Sequence, residues 1–264
     1  MVACLVFPSM AQGAEPLVIA HRGASFDSPE NTLAAIALAW KQGADGVELD
    51  FQITKEGEVI CLHDADTART AGGKKLVVKQ STLQDLRKLD VGAFKGKAFQ
   101  GEKIPTLAET LAAVPPDKLI FVEMKGGPEI VEPLVAGLRK SALKPNQIIL
   151  KSFDSATTAA ARKAMPEART FWLGSLEAKQ KNPRPPVADA VCSVVGELEL
   201  AGISTNGNPK FITPKLYQHF RSKGVREIAV WTVNDVATAR YHRDQGATYI
   251  LTDKPAELRV WLKK

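Results

Sequence analysis

Residues 21–64 read HRGASFDSPENTLAAIALAWKQGADGVELDFQITKEGEVICLHD, and apolar runs at residues 17–20 and 59–62 come directly before the two histidines of this stretch. Between the histidines, Glu48 and Asp50 are separated by one leucine, so both carboxylates point to the same face of a β-strand. Two acids on one face repel each other unless a cation lies between them or one takes a proton. Because Mg²⁺ and Ca²⁺ prefer clusters of oxygen ligands, this spacing predicts a divalent cation beside the strand.

The whole chain, including this stretch, alternates short apolar runs with amphipathic segments, the pattern of a parallel sheet covered by helices. We predict strands at residues 17–20, 46–53, 119–124, 147–151, 170–173, 202–204, 227–231 and 249–251. We predict helices at residues 30–42, 107–113, 129–143, 155–164, 214–223, 236–245 and 256–262. This alternation favours an α/β fold of the (β/α)8 or TIM barrel type over a doubly wound sheet, and 264 residues suit a single barrel.

Prolines and a candidate N-cap modify this pattern at two places. Residues 174–199 contain Pro183, Pro185 and Pro186, so we expect a loop with a short helix there. The first helix is expected to begin with Ser28 as its N-cap, because serine hydroxyls accept hydrogen bonds from the free amides of a first turn.

Residues 65–106 interrupt the alternation with a polar loop, a short amphipathic piece and a stretch rich in glycine and lysine. A connection of this length without regular structure is uncommon inside a compact domain. We therefore predict a small insertion after the second strand, lying over one end of a main domain that spans residues 15–264.

Residues 1–14, MVACLVFPSMAQGA, carry no charged side chain and end in small residues. This composition is typical of the apolar and cleavage regions of a secretory signal peptide. It predicts a periplasmic or secreted protein whose mature chain starts near Gln12 or Glu15. The lysine or arginine expected before the apolar residues is missing from this sequence. The alternative is a disordered or loosely packed N-terminus on a cytoplasmic protein.

The composition, 45% hydrophobic and 24% charged, is that of an ordinary globular protein. The net charge of +6 favours anionic ligands, but no compact basic run or recognition motif indicates nucleic-acid binding. No apolar run approaches the roughly 20 residues that span a bilayer, so we expect no stable membrane insertion. No pattern in the sequence indicates an oligomeric state.

The three cysteines do not have the spacing of a zinc site. Cys4 falls in the predicted signal peptide, and we expect Cys61 and Cys192 to be buried thiols. A disulfide between these two is the alternative in an oxidising compartment.

Polar residues interrupt the apolar pattern where the predicted strands end, and this is where TIM barrels place their active sites. Glu48, Asp50 and Glu123 supply three oxygen ligands for one divalent cation, Mg²⁺ or Ca²⁺. The other candidates at strand ends are His21, Arg22, His63, Lys125 and Trp231.

The charges of these candidates suggest their roles. Arg22 and Lys125 are cations suited to binding a phosphate diester. His21 and His63 can act as an acid–base pair, because imidazole exchanges protons near neutral pH. In the alternative interpretation the two cations only neutralise the carboxylates without a metal, and Trp231 packs in the core.

Four motifs follow one another in a fixed order: HRG at residues 21–23, PENT at 29–32, ELD at 48–50 and HD at 63–64. Together they resemble the glycerophosphodiester phosphodiesterase family. Similar segments follow at residues 104–107, 123–125, 152–154, 231–234 and 251–255, so that the resemblance covers about residues 17–258.

The resemblance implies a TIM barrel with an insertion at residues 65–106. It implies metal ligands at Glu48, Asp50 and Glu123 and an acid–base pair at His21 and His63. The implied activity is metal-dependent hydrolysis of glycerophosphodiesters to sn-glycerol 3-phosphate and an alcohol such as choline or ethanolamine.

The organic part of the substrate would meet aromatic side chains. Trp231 and Phe153 are the candidates for substrate binding, although Phe153 could instead fill the barrel. Two other functions remain as alternatives: a phospholipase D-like or lysophospholipid-cleaving enzyme on the same barrel, and a non-catalytic protein that binds phosphorylated glycerol.

Overall fold

The computed structural model describes residues 15–176 and 185–263. In these residues nine strands form: β1 (Leu17–His21), β2 (Gly46–Ile53), β3 (Val59–Cys61), β4 (Leu119–Met124), β5 (Ile148–Ser152), β6 (Arg169–Gly174), β7 (Gly202–Asn206), β8 (Glu227–Trp231) and β9 (Tyr249–Thr252). Neighbouring strands pair in parallel except β3, which pairs antiparallel with β2. Because β1 hydrogen-bonds to both β2 and β9, the parallel strands close into a barrel, and the predicted TIM barrel is confirmed.

The predicted amphipathic segments form helices around this barrel. Within the described ranges the helices are α1 (Leu33–Lys41), α2 (Leu83–Leu86), α3 (Leu107–Ala112), α4 (Val131–Lys140), α5 (Ser155–Ala164), α6 (Pro185–Glu197), α7 (Pro214–Ser222), α8 (Val236–Asp244) and α9 (Pro255–Leu262). At 13 residues, α6 is longer than the short helix expected from the prolines, because Pro185 and Pro186 lie in its first turn, where proline is tolerated.

The predicted N-cap at Ser28 is wrong, because α1 begins at Leu33 with Thr32 as its cap. The Thr32 hydroxyl accepts a hydrogen bond from the Ala35 amide at 3.2 Å. Asn31, directly before the cap, has a φ of 57°, which lies in the left-handed region and prevents the helix from starting earlier. The turn at Asn31 brings its side chain to Asp50 at the barrel mouth, and this contact depends on α1 starting after Asn31.

Apolar side chains fill the barrel below its carboxyl-terminal mouth. The inward-facing cluster consists of Ile19, Phe121, Ile149, Phe171, Ala229, Tyr249 and Leu251. Because side chains alternate along a strand, the residues two positions after Ile19, Phe121 and Ile149 face inward as well. Those three residues are His21, Glu123 and Lys151, so the inward face changes from apolar to charged at the mouth.

Residues 65–106 contain α2 and a group of buried apolar residues that they share with the region of β3: Ile60, Leu62, Ala71, Val78, Leu86, Leu89, Val91 and Ile104. Lys95 Nζ donates to the Ser25 carbonyl at 2.7 Å, and Arg69 donates to Glu30 at 2.6 and 2.8 Å. This segment therefore lies against the loop that follows β1, at the carboxyl end of the barrel.

Cys61 and Cys192 are free and buried, so the alternative of a disulfide between them is wrong. Among the described residues, no helix combines the length and the apolar composition that a membrane crossing requires. The predicted export signal at residues 1–14 lies outside the described residues, so export and the domain boundary at residue 15 stay predictions.

Candidate active site

Three carboxylates meet at the barrel mouth. One oxygen of each of Glu48, Asp50 and Glu123 lies within 4.8 Å of the others, and all three side chains are buried. β2 and β4 are neighbours in a register that pairs Asp50 with Glu123, which explains how residues 73 positions apart come together. The convergence predicted from the spacing of the acids is present.

This donor set suits a hard divalent cation. Carboxylate oxygens are the ligands that Mg²⁺ and Ca²⁺ prefer, and water or substrate oxygens complete such a site. Asn31 donates to Asp50 Oδ2 at 2.9 Å, and buried Glu48 Oε1 lies 2.8 Å from the ammonium group of Lys151. Both carboxylates therefore already lie against groups that stabilise negative charge, as the ligands of a bound cation do.

Two lysines and an arginine surround the carboxylates. Lys125 Nζ lies 3.0 Å from Asp50 Oδ1 and also contacts Glu123 Oε1. Arg22 Nε lies 3.4 Å from Asp50 Oδ2. The ion pairs that the metal-free alternative expects are therefore present for Asp50, whereas the Glu48 side chain pairs with a different lysine, Lys151. The three carboxylates still lie close enough together to hold one cation.

Lys151 is a third cation that the sequence interpretation missed. Its Nζ lies 2.8 Å from Glu48 Oε1 and 3.2 Å from Glu123 Oε2, although the contact with Glu48 lacks the alignment of a hydrogen bond. Burial lowers the pKa of Lys151, but Glu48 and Glu123 more than offset this, so its pKa is raised. Burial, and then Asp50, raise the pKa of Glu123, but Lys151 and Lys125 together outweigh them, so its pKa is lowered.

His21 is oriented by a carboxylate from the far end of the chain. Its Nδ1 lies 2.7 Å from Asp253 Oδ1, and Ser25 and Asn234 donate to the same carboxylate at 2.9 and 2.6 Å. Burial lowers the pKa of His21, but Asp253 and then Glu48 outweigh it, so the pKa is raised. Burial raises the pKa of Asp253, yet the hydrogen bond from His21 and the other donors bring it to about 2.

His63 has an equivalent arrangement with the residue that follows it. Its Nδ1 lies 2.6 Å from Asp64 Oδ1, and Arg69 Nε donates to Asp64 Oδ2 at 2.7 Å. The hydrogen bond from Arg69 is the main reason why the pKa of Asp64 falls to about 2. In both histidines Nδ1 faces a carboxylate, which leaves Nε2 for proton exchange with a ligand.

Glu30 links the two halves of this charged network. Its carboxylate accepts two hydrogen bonds from Arg69, at 2.6 and 2.8 Å, and one from Arg22 Nη1 at 2.9 Å. Arg69 also holds Asp64, so one side chain from residues 65–106 supports both the Arg22 and the His63 positions. Arg22 itself has a φ of 57°, an uncommon conformation for a non-glycine residue that is concentrated at functional sites.

Phe153 and Trp231 lie on the other side of the mouth. Phe153 is 56% exposed, so the alternative that it fills the barrel is wrong. Its ring centroid lies 5.9 Å from that of Trp231 in an edge-to-face arrangement, and Lys125 Nζ lies 5.9 Å from the Phe153 centroid. Trp231 packs partly against the inner cluster, while its buried indole N–H has no acceptor among the residues that the structure describes.

A second unpaired donor lies beside Trp231. Asn206 is its register partner on β7, and within residues 15–176 and 185–263 the buried Asn206 Nδ2 group has no acceptor. The Asn206 Oδ1 atom accepts a hydrogen bond from the Leu176 amide at 2.8 Å, which fixes the side chain. Alternation along β7 predicts that Asn206 faces inward, but nothing in the sequence indicated that its amide would lack a partner.

The remaining histidines lie away from this site. His242 is fully buried, where it contacts the Tyr217 hydroxyl at 2.9 Å and the Gly207 carbonyl at 2.8 Å. A histidine in a late amphipathic helix is expected at the surface, but α8 turns this side chain toward Tyr217 on α7 rather than toward solvent. His219 is partly exposed and pairs with Asp189 at 2.9 Å.

A TIM barrel whose mouth joins three buried carboxylates, several cations and two carboxylate-bound histidines has the groups that metal-assisted hydrolysis of a phosphate ester requires. Residues 21–257 match the model of the glycerophosphoryl diester phosphodiesterase family. The chain therefore belongs to this family, and it is an enzyme of that class.

Individual relatives agree with this assignment. A glycerophosphodiester phosphodiesterase of Caldanaerobacter subterraneus is 33% identical over 257 residues, which cover 94% of this chain and 98% of the relative. A second from Bacillus subtilis is 32% identical, with 90% and 84% covered. A structure of a phosphodiesterase from Oleispira antarctica in complex with the product sn-glycerol-3-phosphate has a TM-score of 0.83 at 26% identity, with 95% and 98% covered.

Proposed function

We propose that this enzyme hydrolyses glycerophosphodiesters to sn-glycerol 3-phosphate and an alcohol, with one bound Mg²⁺ or Ca²⁺. The observation that carries the proposal is the buried cluster of Glu48, Asp50 and Glu123 between two histidines that each face a carboxylate. The Oleispira antarctica phosphodiesterase, which was solved with sn-glycerol-3-phosphate, supports this choice of substrate class.

Glu48, Asp50 and Glu123 would hold the cation, which supplies positive charge where negative charge grows on the phosphoryl oxygens. Arg22 lies beside this cluster and would bind the phosphate by its guanidinium fork. Lys125 is 20% exposed and can turn from the carboxylates toward a bound phosphate, where it would act as a point charge.

His21 and His63 would share the proton transfers. One would take the proton of the attacking oxygen, and the other would give a proton to the leaving alcohol. Asp253 and Asp64 would keep each ring in the orientation that presents Nε2 to the substrate.

Phe153 and Trp231 would line the organic part of the substrate. Their rings meet edge to face at the open side of the mouth, so they offer apolar contact next to the charged cluster. This arrangement suits a small diester with a charged phosphate and a less polar remainder.

The test supplies glycerophosphocholine to the protein and measures sn-glycerol 3-phosphate, first after chelation and then with Mg²⁺ or Ca²⁺ restored. We expect turnover only with the cation. His21→Ala and His63→Ala should each lower kcat about 100-fold or more, since a positioned acid or base contributes about that much.

His219→Ala is the matched control, because His219 lies on α7 and contacts Asp189 outside the site. Full turnover after chelation, or full activity in either active-site variant, would overturn the proposal. Turnover of a lysophospholipid in place of glycerophosphocholine would instead favour the lipid-cleaving alternative.

A further inference from the structure

Lys151 occupies an unusual position inside the carboxylate cluster. It is 1% exposed, and its ammonium group contacts both Glu48 and Glu123, two of the three expected cation ligands. It lies on β5 in register with Glu123, directly above the apolar Ile149 layer. The charge of Lys151 is therefore balanced inside the protein, by Glu48 and Glu123 in direct contact and by Asp50 nearby.

Lys125 touches the same cluster from a different environment. It follows β4, is 20% exposed and has the ring of the exposed Phe153 nearby at 5.9 Å. Its side chain can leave the carboxylates without carrying a charge through the apolar interior. The two lysines therefore differ in mobility, although both neutralise the carboxylates in this structure.

We propose that Lys151 is a fixed counterion of the cation site: it keeps the three carboxylates assembled when no cation is bound, and it weakens the binding of the cation that joins them. Lys151 is a positioning residue in this scheme, since it acts through Glu48 and Glu123. The inference rests on the proposed function, because it assumes that the carboxylates hold a divalent cation.

The physical reason is electrostatic. Three carboxylates without a cation repel one another, and an ammonium group within about 3 Å of two of them reduces this repulsion strongly at low effective dielectric. The same ammonium group repels an incoming divalent cation. A buried charge that loses one partner is left uncompensated, so the cluster depends on Lys151 most when no cation is present.

The test compares Lys151→Met with the exposed control Lys163→Met on α5 and with Lys125→Met. Calorimetric titration measures the Kd for Ca²⁺ and for Mg²⁺, and thermal unfolding is followed with chelator and with saturating cation. We expect Lys151→Met to lower the metal-free Tm and to raise the Tm gain on adding cation. We also expect it to tighten cation binding about tenfold or more, since it removes a neighbouring charge.

The other two variants show how much of the change in Kd is specific to Lys151. Lys163→Met should leave the Kd unchanged, and Lys125→Met should tighten binding less than Lys151→Met does, because Lys125 can move away. If Lys151→Met unfolds both with and without cation, Lys151→Gln removes the charge but keeps a hydrogen-bond donor, and tighter binding is expected in that variant.

Unchanged or weaker cation binding in the neutral variants would overturn the inference, and so would an equal effect of Lys125→Met. Loss of sn-glycerol 3-phosphate binding in Lys151→Met without tighter cation binding would show that Lys151 binds phosphate instead. A wild-type protein that binds neither cation would remove the metal from the proposed function as well, whereas wild-type binding without a Lys151 effect overturns this inference alone.

Discussion

The two sides of the barrel mouth differ in charge. The side formed by β1, β2, β4 and β5 presents inward-facing charged or titratable residues: His21, Glu48, Asp50, Glu123 and Lys151. The side formed by β6, β7 and β8 presents Leu173, Asn206 and Trp231, none of which is charged. A ligand with an anionic phosphate and an organic remainder without negative charge matches both sides at once, with its phosphate on the charged side.

The largest expected effect comes from removing charge on the charged side. Glu123→Gln keeps the side-chain shape but leaves two carboxylates and Lys151 without their partner. The cation's contribution to charge stabilisation is several kcal/mol, so its loss should lower kcat/KM about 1000-fold.

Glu129→Gln is the control for this variant, because the Glu129 side chain is 49% exposed and pairs with Lys79 outside the carboxylate cluster. Titration calorimetry should show that Glu123→Gln binds the cation far more weakly than the wild type. If Glu123→Gln bound the cation as tightly as the wild type does, the charged side of the mouth would not be the cation site, and the comparison of the two sides would be wrong.

A smaller loss is expected when the support of the charged side is removed. Arg69→Met deletes the donors to both Glu30 and Asp64, so Arg22 and His63 lose part of their positioning. Residues that orient catalytic groups in metal sites are worth about 10- to 100-fold, and we expect a fall in kcat of that size.

Steady-state kinetics with Arg69→Lys sharpens this prediction. Lysine keeps the charge but cannot form the forked contacts, so little activity should return. Near-wild-type kcat in Arg69→Met would show that Arg22 and His63 keep their positions without the hydrogen bonds from Arg69 to Glu30 and Asp64.

The uncharged side is expected to affect binding of the substrate's organic part. Phe153→Ala removes an exposed ring beside Trp231 and should lower kcat/KM about tenfold, which is typical for one apolar contact. Val260→Ala truncates a side chain with similar exposure on α9 and should change nothing. An unchanged kcat/KM for several different alcohol groups in Phe153→Ala would mean that this side does not contact substrate.

The smallest effect concerns stability away from the mouth. Burial lowers the pKa of His242 below its ordinary value of 6.5, so the unfolded chain binds a proton at a higher pH than the folded protein does. The contribution of neutral His242 is therefore present above about pH 6.5 and is lost as the pH falls through its lower folded-state value.

Thermal unfolding between pH 8 and pH 5 tests this prediction with His242→Gln, which cannot titrate. The variant should lose less of its Tm over this range than the wild type does, and His219→Gln serves as the control. An identical pH dependence in the wild type and His242→Gln would show that His242 is not charged on unfolding.

The residues that sequence predicted correctly share a local signal. The spacing of Glu48 and Asp50 places both on one strand face, and alternation along the chain establishes the barrel. Once the barrel is assumed, the ends of strands must meet, which is why Glu123 was expected beside residues 73 positions earlier.

Three residues at the site could not be predicted, because their contacts join parts of the chain that no sequence pattern connects. Asp253 reaches His21 across 232 residues because β9 closes the barrel onto β1. Arg69 lies in a segment without periodicity, so its partners could not be inferred. In the sequence, Lys151 looks like the polar residue that ordinarily ends an apolar strand. Its pairing with Glu123 can be predicted only when it is known that β4 and β5 are neighbours.

The central claim is that Glu48, Asp50 and Glu123 bind one divalent cation together. Its most direct test is a crystal structure of the active protein grown with Mn²⁺, in which anomalous scattering locates the metal. We predict a single strong peak within roughly 2.6 Å of an oxygen from each of the three side chains. A peak elsewhere, or none at this cluster in protein that still hydrolyses glycerophosphodiesters, would contradict the claim.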